Sequence, residues 1–254
     1  MDRESKKMAS LKELQSRINS LQTTKKITDA MRMIALTKYR RSLKSFFSLD
    51  SFVSHFKETS KYFRPIPTGE LSYAIIMAPS RGLCGSLNTR LNRFLKDKFE
   101  DTQCFIIGQS TFENAECFPY PKNNNQRKIF EELVSRIVHY KKITLIYIHF
   151  LSPSKSHIET MDLFPWAYDD ATEFHAINDV KAPLRWFQTY LKHCFCQAFS
   201  HTAISENASR MLAMDAAGKN TKKLVSELKL TYNKKRQELI TKEILETGAS
   251  LYDE

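Results

Sequence analysis

The first 64 residues of this 254-residue chain contain neither proline nor glycine. From Leu184 to Thr247 proline is again missing, and Gly218 is the one glycine. All eight prolines fall between Pro65 and Pro183. Proline costs roughly 3 kcal/mol in a helix interior and glycine about 1 kcal/mol. Both ends are therefore free to form very long helices, each reaching on the order of 80 Å at about 1.5 Å per residue. No apolar run reaches the roughly 18 residues that a membrane-spanning helix needs. The opening "MDRESKKMASLKEL" lacks the apolar stretch of a secretory signal, and Asp2 and Glu4 argue against a transit peptide. Met8, followed by Ala9, is a second candidate start.

Cysteine is scarce and unpatterned. The five residues, at 84, 104, 117, 194 and 196, form no CxxC pair, which fits reduced thiols better than a disulfide framework. In "HCFCQAFSH" (193–201), helical steps of about 100° turn Cys194 and Cys196 to nearly opposite faces, and His193 and His201 align poorly. No metal site is expected there. No Ser-His-Asp or paired-carboxylate pattern emerges from spacing either, so no catalytic residue and no cofactor is expected.

What is present is positive charge at the ends. Residues 1–64 carry 15 Lys/Arg against 6 Asp/Glu, residues 65–183 carry 13 against 14, and residues 184–254 carry 11 against 8, which sum to the net +11. Such ends attract an acidic partner. A nucleic-acid module is the rival reading, but aromatics do not interleave with the basic runs and no binding motif appears; no nucleic acid is expected.

In the first arm Leu11, Leu14, Ile18 and Leu21 step by 3, 4 and 3, the rhythm of a coiled coil. It breaks at "QTTKK" and resumes at Ile27, Met31 and Ile34. In the last arm Leu224, Leu228, Tyr232, Ile240 and Ile244 form a stripe, with Arg236 in the intervening place. The middle reads as α/β. Strands are expected at 71–78, 103–108, 143–150 and 157–165, with helices at about 86–99 and 126–140. Alternation of this kind implies a parallel, Rossmann-like sheet. The expected organisation is an N-terminal coiled-coil helix (8–64), a Rossmann-like α/β domain (65–183) and a C-terminal coiled-coil helix (184–247), the long helices antiparallel. "RPIPTGE" (64–70) and "DVKAPLRW" (179–186) are the seams.

After the first strand comes "SRGLCGSLNTRL" (80–91). A phosphate loop needs G-x-x-x-x-G-K-[ST], whereas Gly82 and Gly85 are three apart with Ser86-Leu87 behind them. The dinucleotide fingerprint lacks its third glycine. Backbone amides opening the next helix still favour an anion, but a tight strand-to-helix turn explains the small residues.

"RGLCGSLN" (81–88) resembles the "RGLCGGLN" hallmark of the gamma subunit of F-type ATP synthases, with Ser86 replacing a glycine. "MASLKELQSRINSLQTTKKITDAMRMIALTKYRR" (8–41) is similar to that family's first helix, typified by "KITKAMKMVA". "SENASRMLAMDAAGKNTKKLVSELKLTYNKKRQELITKEILE" (205–246) is similar to its last, with "RMVAMDAATDNA" and "YNKARQAAITQEI" as counterparts. The three stretches cover about a third of the chain; the middle is shorter than usual for the family, and the ending "ETGASLYDE" is more polar.

The resemblance implies a non-catalytic central rotary shaft. Its two helices stand in a ring of three alpha and three beta subunits, with the epsilon subunit and the c-ring at the base. It couples proton flow to ATP synthesis or hydrolysis. It also implies a peripheral position at the cytoplasmic face of a bacterial inner membrane or, alternatively, the matrix face of the mitochondrial one. Arg236 and Gln237 match the pair that meets an acidic beta loop, and Met31 matches a methionine facing beta, although a place in the coiled-coil seam suits it equally. Lys25, Lys26, Arg40 and Arg41 are further candidates for acidic beta loops. Gly82, Leu83, Cys84 and Gly85 form the hallmark turn.

Overall fold

The computed structural model describes residues 2–59, 72–100, 102–109, 115–118, 142–164 and 181–250. The seam at 64–70, the first two residues of that at 179–186, the helix expected at 126–140 and the last four residues lie outside them. The elements are α1 (Asp2–Thr59), β1 (Ser72–Met77), α2 (Leu87–Phe99), β2 (Gln103–Ile107), β3 (Ala115–Phe118), β4 (Lys142–Ser152), β5 (Lys155–Phe164) and α3 (Lys181–Ser250). The two terminal helices run without a break, as their lack of proline permits. Pro183 stands in the first turn of α3, where a missing N–H leaves no bond unmade.

The chain divides into two compact units: Met1–Met33 with Ala213–Glu254, and Ile34–Leu212. In the first, α1 and α3 are antiparallel. Arg32 faces Asp215 at 4.0 Å, while Gly218 lies against Thr28 and Asp29; as one number rises the other falls. Lys219 donates a hydrogen bond to Asp215 that, with Arg32 nearby, holds this carboxyl below the usual carboxylate range.

The seam departs from the apolar reading. Leu11, Leu14, Ile18 and Leu21 are on it, but it runs on through Lys25, Thr28 and Arg32 with the same steps of 3 and 4. The rhythm does not break at "QTTKK"; polar residues carry it. Ile27 and Met31 are off it and exposed. On α3 the inward row is Met214, Gly218, Thr221, Val225, Leu228 and Tyr232, whereas Leu224, Ile240 and Ile244 are 48%, 44% and 64% exposed. A strict four-residue step advances about 40° each time around a helix of 3.6 residues per turn, so such a stripe drifts off the seam.

In the second unit the sheet order is β3-β2-β1-β4-β5. The first three pairings are parallel and β4 with β5 is antiparallel. The expected all-parallel sheet is thus corrected at its last strand: Pro153 and Ser154 are the only residues between β4 and β5, too short a link for a parallel crossover. β3 was not expected, since its four residues show no alternating burial. Alternation elsewhere gives each face its layer. Ile75, Met77, Phe105, Ile107, Leu145, Tyr147 and Leu163 pack against Tyr190, Leu191, Cys194, Phe195 and Ala198 of α3. Ala74, Ile76, Cys104, Ile106 and Ile146 pack against Leu91 and Leu95 of α2.

A Cβ on Gly218 meets Asp29 Oδ1 at 3.4 Å and Thr28 Oγ1 at 3.6 Å, ordinary contact distances. Gly218→Ala is therefore expected to raise stability by up to about 1 kcal/mol through helix propensity. Gly218→Leu, forced between the helices, is expected to lower it; urea unfolding of the two variants checks both signs.

Candidate functional site

In sheets of this type, ligands bind beyond the carboxyl ends of the strands, where the strand order reverses. Here the order reverses between β1 and β4. β1 pairs with β4 only as far as Ile76 and Ile146, so the backbone beyond needs other partners. They come from α3. Thr202 Oγ1 accepts from the Ile148 amide at 3.3 Å and donates to the Met77 carbonyl at 3.4 Å, bridging the two strands. Ser205 donates to the Ile148 carbonyl, and the Phe150 amide donates to His201 Nδ1 at 3.2 Å.

One helical turn on, the same face reaches the glycine turn. Glu206, 2% exposed, accepts from the Ser80 amide at 2.7 Å and from the Ser80 hydroxyl at 2.8 Å. Its carboxylate is neutralised by Arg210 four residues along. Arg210 Nη2 in turn donates to the carbonyls of Arg81 and Gly82, each at 3.1 Å. Ser209 donates to the Cys84 carbonyl at 2.7 Å. Along α3 the pairs 201/202, 205/206 and 209/210 recur every four residues. They extend the stripe begun by the apolar 190/191, 194/195 and 198.

These contacts answer what the glycine turn holds. The seat beside Ser80, after β1 and ahead of α2, is where an anion belongs in this fold. The chain's own Glu206 carboxylate occupies it, and Thr202 fills the crevice. The turn is a socket for α3. Within it Leu83 takes φ +61 and Gly85 φ +63. A left-handed leucine costs about 1–2 kcal/mol, and bonded carbonyls on both sides, at Gly82 and Cys84, keep it there. At Gly85 a side chain meets both that strain and Ser209 Oγ, 3.3 Å from an added Cβ. Gly82 has open space. Leu83 itself is 62% exposed, while Cys84 is buried.

Burial pushes the Cys84 thiol above its ordinary range, and the Glu206 charge adds to this. Burial alone pushes Cys104 from 9.0 up to about 11. Among the described residues no His/Cys/Asp/Glu group is arranged to hold a metal ion.

Of the residues expected to meet a beta subunit, Lys25, Lys26, Met31, Arg236 and Gln237 lie on the helices of the first unit, whereas Arg40 and Arg41, both exposed, lie in the second. Lys25 is half-buried on the seam and paired with Asp29 at 3.2 Å. Lys26 is exposed, and Met31 at 36% is outside the seam that it equally suited. Arg236 and Gln237 are exposed on α3. By the antiparallel register they stand some 20–30 Å along the axis from the Lys26 and Met31 positions, at about 1.5 Å per residue. Those of the first unit therefore form two patches. Thr202, Ser205, Glu206, Ser209 and Arg210 were missed as a site; the signal was a polar pair at every fourth place following the apolar 190/191, 194/195 and 198.

The family model described as ATP synthase matches residues 10–250. This chain belongs to that family. Within it the chain is a gamma subunit of the F-type enzyme. The ATP synthase gamma chain of Mycoplasma pneumoniae is 28% identical, the match covering 94% of this chain and 98% of the relative. That of Buchnera aphidicola is 29% identical over 96% and 98%. Two solved structures share the fold. A chain of the Euglena gracilis mitochondrial ATP synthase OSCP/F1/c-ring assembly superposes with a TM-score of 0.79, at 17% identity over 96% of this chain and 94% of that one. One in the rotor of the same enzyme gives 0.75, at 16% identity over 91% and 99%.

Two measurements follow for this gamma subunit. Calorimetry of the chain with ATP and Mg²⁺ is expected to show no stoichiometric binding, because the crevice is filled; a tight one-to-one site overturns this account. The thiolate is the reactive form of cysteine. At pH 8 a thiol titrating near 11 is ionised to only about one part in a thousand. Alkylation followed by mass spectrometry is thus expected to label the exposed Cys117 at least about tenfold faster than Cys84 and Cys104. Below pH 9 the buried Cys104 favours the fold fully, and this contribution is lost as pH rises through about 11.

Proposed function

We propose that the chain is the non-catalytic central shaft of its complex, turning within three alpha and three beta subunits and carried by the c-ring with the epsilon subunit. The observation that carries this reading is the pairing of the two chain ends. Uninterrupted helices from opposite termini form one antiparallel seam, with Thr28 against Gly218 and Arg32 facing Asp215. A shaft transmits work through stiffness. It biases each catalytic site by presenting different faces to the subunits around it, and the bias is the difference in contact energy between conformations. The self-filled crevice supports the non-catalytic part, since the place where this fold recruits a ligand is taken by α3.

The contacts with beta fall on two patches. Arg236 and Gln237 offer a planar guanidinium and an amide to an acidic loop, bonds that suit repeated making and breaking. Lys26 and Met31 form the other, methionine adapting to a changing surface. Lys25 contributes less, being held by Asp29. Gly82, Leu83, Cys84 and Gly85 serve the chain's own α3. The organisation into helix (8–64), α/β domain (65–183) and helix (184–247) describes the order along the sequence, while the two units interleave it.

The shaft works at a membrane without entering it: among the described residues no helix is long and apolar enough to cross one. The cytoplasmic face of a bacterial inner membrane is its proposed place, supported by the bacterial source of the gamma chains it resembles. Isolating the complex through a tag on this chain tests the reading. One copy per three beta subunits is expected; absence of alpha and beta overturns it. Within that complex, Arg236→Glu is expected to lower ATP turnover roughly tenfold, the scale of a lost charge-assisted hydrogen bond of about 1.5–3 kcal/mol. An unchanged rate removes Arg236 from the beta contact.

A further inference from the structure

The apolar contact between α3 and the sheet buries Tyr190, Leu191, Cys194, Phe195 and Ala198. Apolar contact is non-directional. It holds the helix down on the sheet but resists rotation of the helix about its own axis only weakly. The polar row that follows is directional, because hydrogen bonds weaken steeply below about 120° and fail beyond about 3.5 Å. Side-chain tips stand about 5–6 Å from a helix axis, so 1 Å of slip at a tip corresponds to roughly 10° of rotation. Bonds of 2.7 Å to Ser80 and to Cys84 are broken by a turn of about that size.

The ties are also placed at one end. Glu206, Ser209 and Arg210 are the last of them before Leu212, where α3 leaves this unit for the other. They grip the turn from opposite electrical sides. The carboxylate takes the Ser80 amide and hydroxyl, the guanidinium takes the carbonyls of Arg81 and Gly82, and the Ser209 hydroxyl takes that of Cys84. A polarity of this kind is not reversible: donors and acceptors of a backbone cannot be exchanged.

We propose that Glu206, Ser209 and Arg210 are positioning residues that lock α3 in rotation against the sheet unit, so that torque entering this unit passes into the shaft helix instead of being lost as slip. The proposal rests on the shaft reading above. An i,i+4 ion pair such as Glu206–Arg210 also has a plainer use, support of its own helix, and the test separates the two.

The experiment uses the whole complex in membrane vesicles, reading ATP hydrolysis and ATP-driven proton pumping together, with the amount of this chain per complex as the control for assembly. In Glu206→Ala and in Arg210→Ala the ratio of pumping to hydrolysis is expected to fall about threefold or more. The exchanged pair, Glu206→Arg with Arg210→Glu, restores the ion pair within the helix but sets a cation on the Ser80 amide and a carboxylate on the Arg81 and Gly82 carbonyls. The lock predicts that the exchange stays as uncoupled as the single variants, and a ratio restored to that of the unaltered complex overturns it. Should those variants fail to assemble, Ser209→Ala, which removes one bond, decides: a lowered ratio supports the lock, an unaltered one overturns it. The shaft reading fails separately, if the unaltered chain is absent from a pumping complex.

Discussion

The carboxylate of Glu206 on the Ser80 amide is the contact on which the arrangement of the sheet unit turns. Burying a carboxylate is expensive unless it is paired and hydrogen-bonded. This one is supplied with both, by Arg210 on its own helix and by Ser80 at the end of β1. Remove the arginine and the carboxylate is stranded; remove the carboxylate and the Ser80 amide, together with the Arg210 charge, loses its partner. Such sets are all-or-nothing, since each member satisfies another. That property fixes where α3 lies on the sheet and in which rotation, something the apolar layer of Leu191, Phe195 and their neighbours leaves loose.

A doubly wound sheet exposes backbone groups at the ends of its strands, and most such folds leave them for a ligand. This chain uses the same crevice to receive its own last helix. The alternation that gives the β1 and β4 residues two buried faces is ordinary. The unusual part is the stripe on α3, which changes from apolar at 190–198 to polar at 201–210 without leaving the face it began on. The change occurs where the sheet's side chains give way to its strand ends. Apolar partners meet apolar partners, and then polar groups meet backbone.

Much of this was readable from the chain. The absence of proline and glycine marked both long helices, and β1, β2, β4 and β5 fell where apolar runs are flanked by turn residues. The hallmark turn was visible as a strand-to-helix link poor in phosphate-loop chemistry. Its partner was not, because Glu206 lies some 126 residues from Ser80 and no local rule joins them. The antiparallel β5 hid behind the regular βα alternation before it, and Pro153-Ser154 was its one signal. The seams were misread for a shared reason. Periodicity was followed through apolar residues alone, so Lys25, Thr28 and Arg32 looked like an interruption and Leu224, Ile240 and Ile244 like a continuation.

Those polar seam positions have a physical use. A seam made only of leucine buries nearly the same area after sliding by one heptad, so apolar contact specifies register poorly, and polar residues at such positions commonly supply it. In the helix pair, Thr28 and Asp29 lie against a residue with no side chain, and Arg32 meets Asp215. Sliding α3 by seven residues brings Val225 to the place of Gly218 and Lys222 to the place of Asp215, a clash in one case and two like charges in the other. Both units thus follow one rule: apolar area supplies cohesion, and a few polar groups with a single correct set of partners supply position. For a part whose work is to hold an angle under load, position is the property that counts.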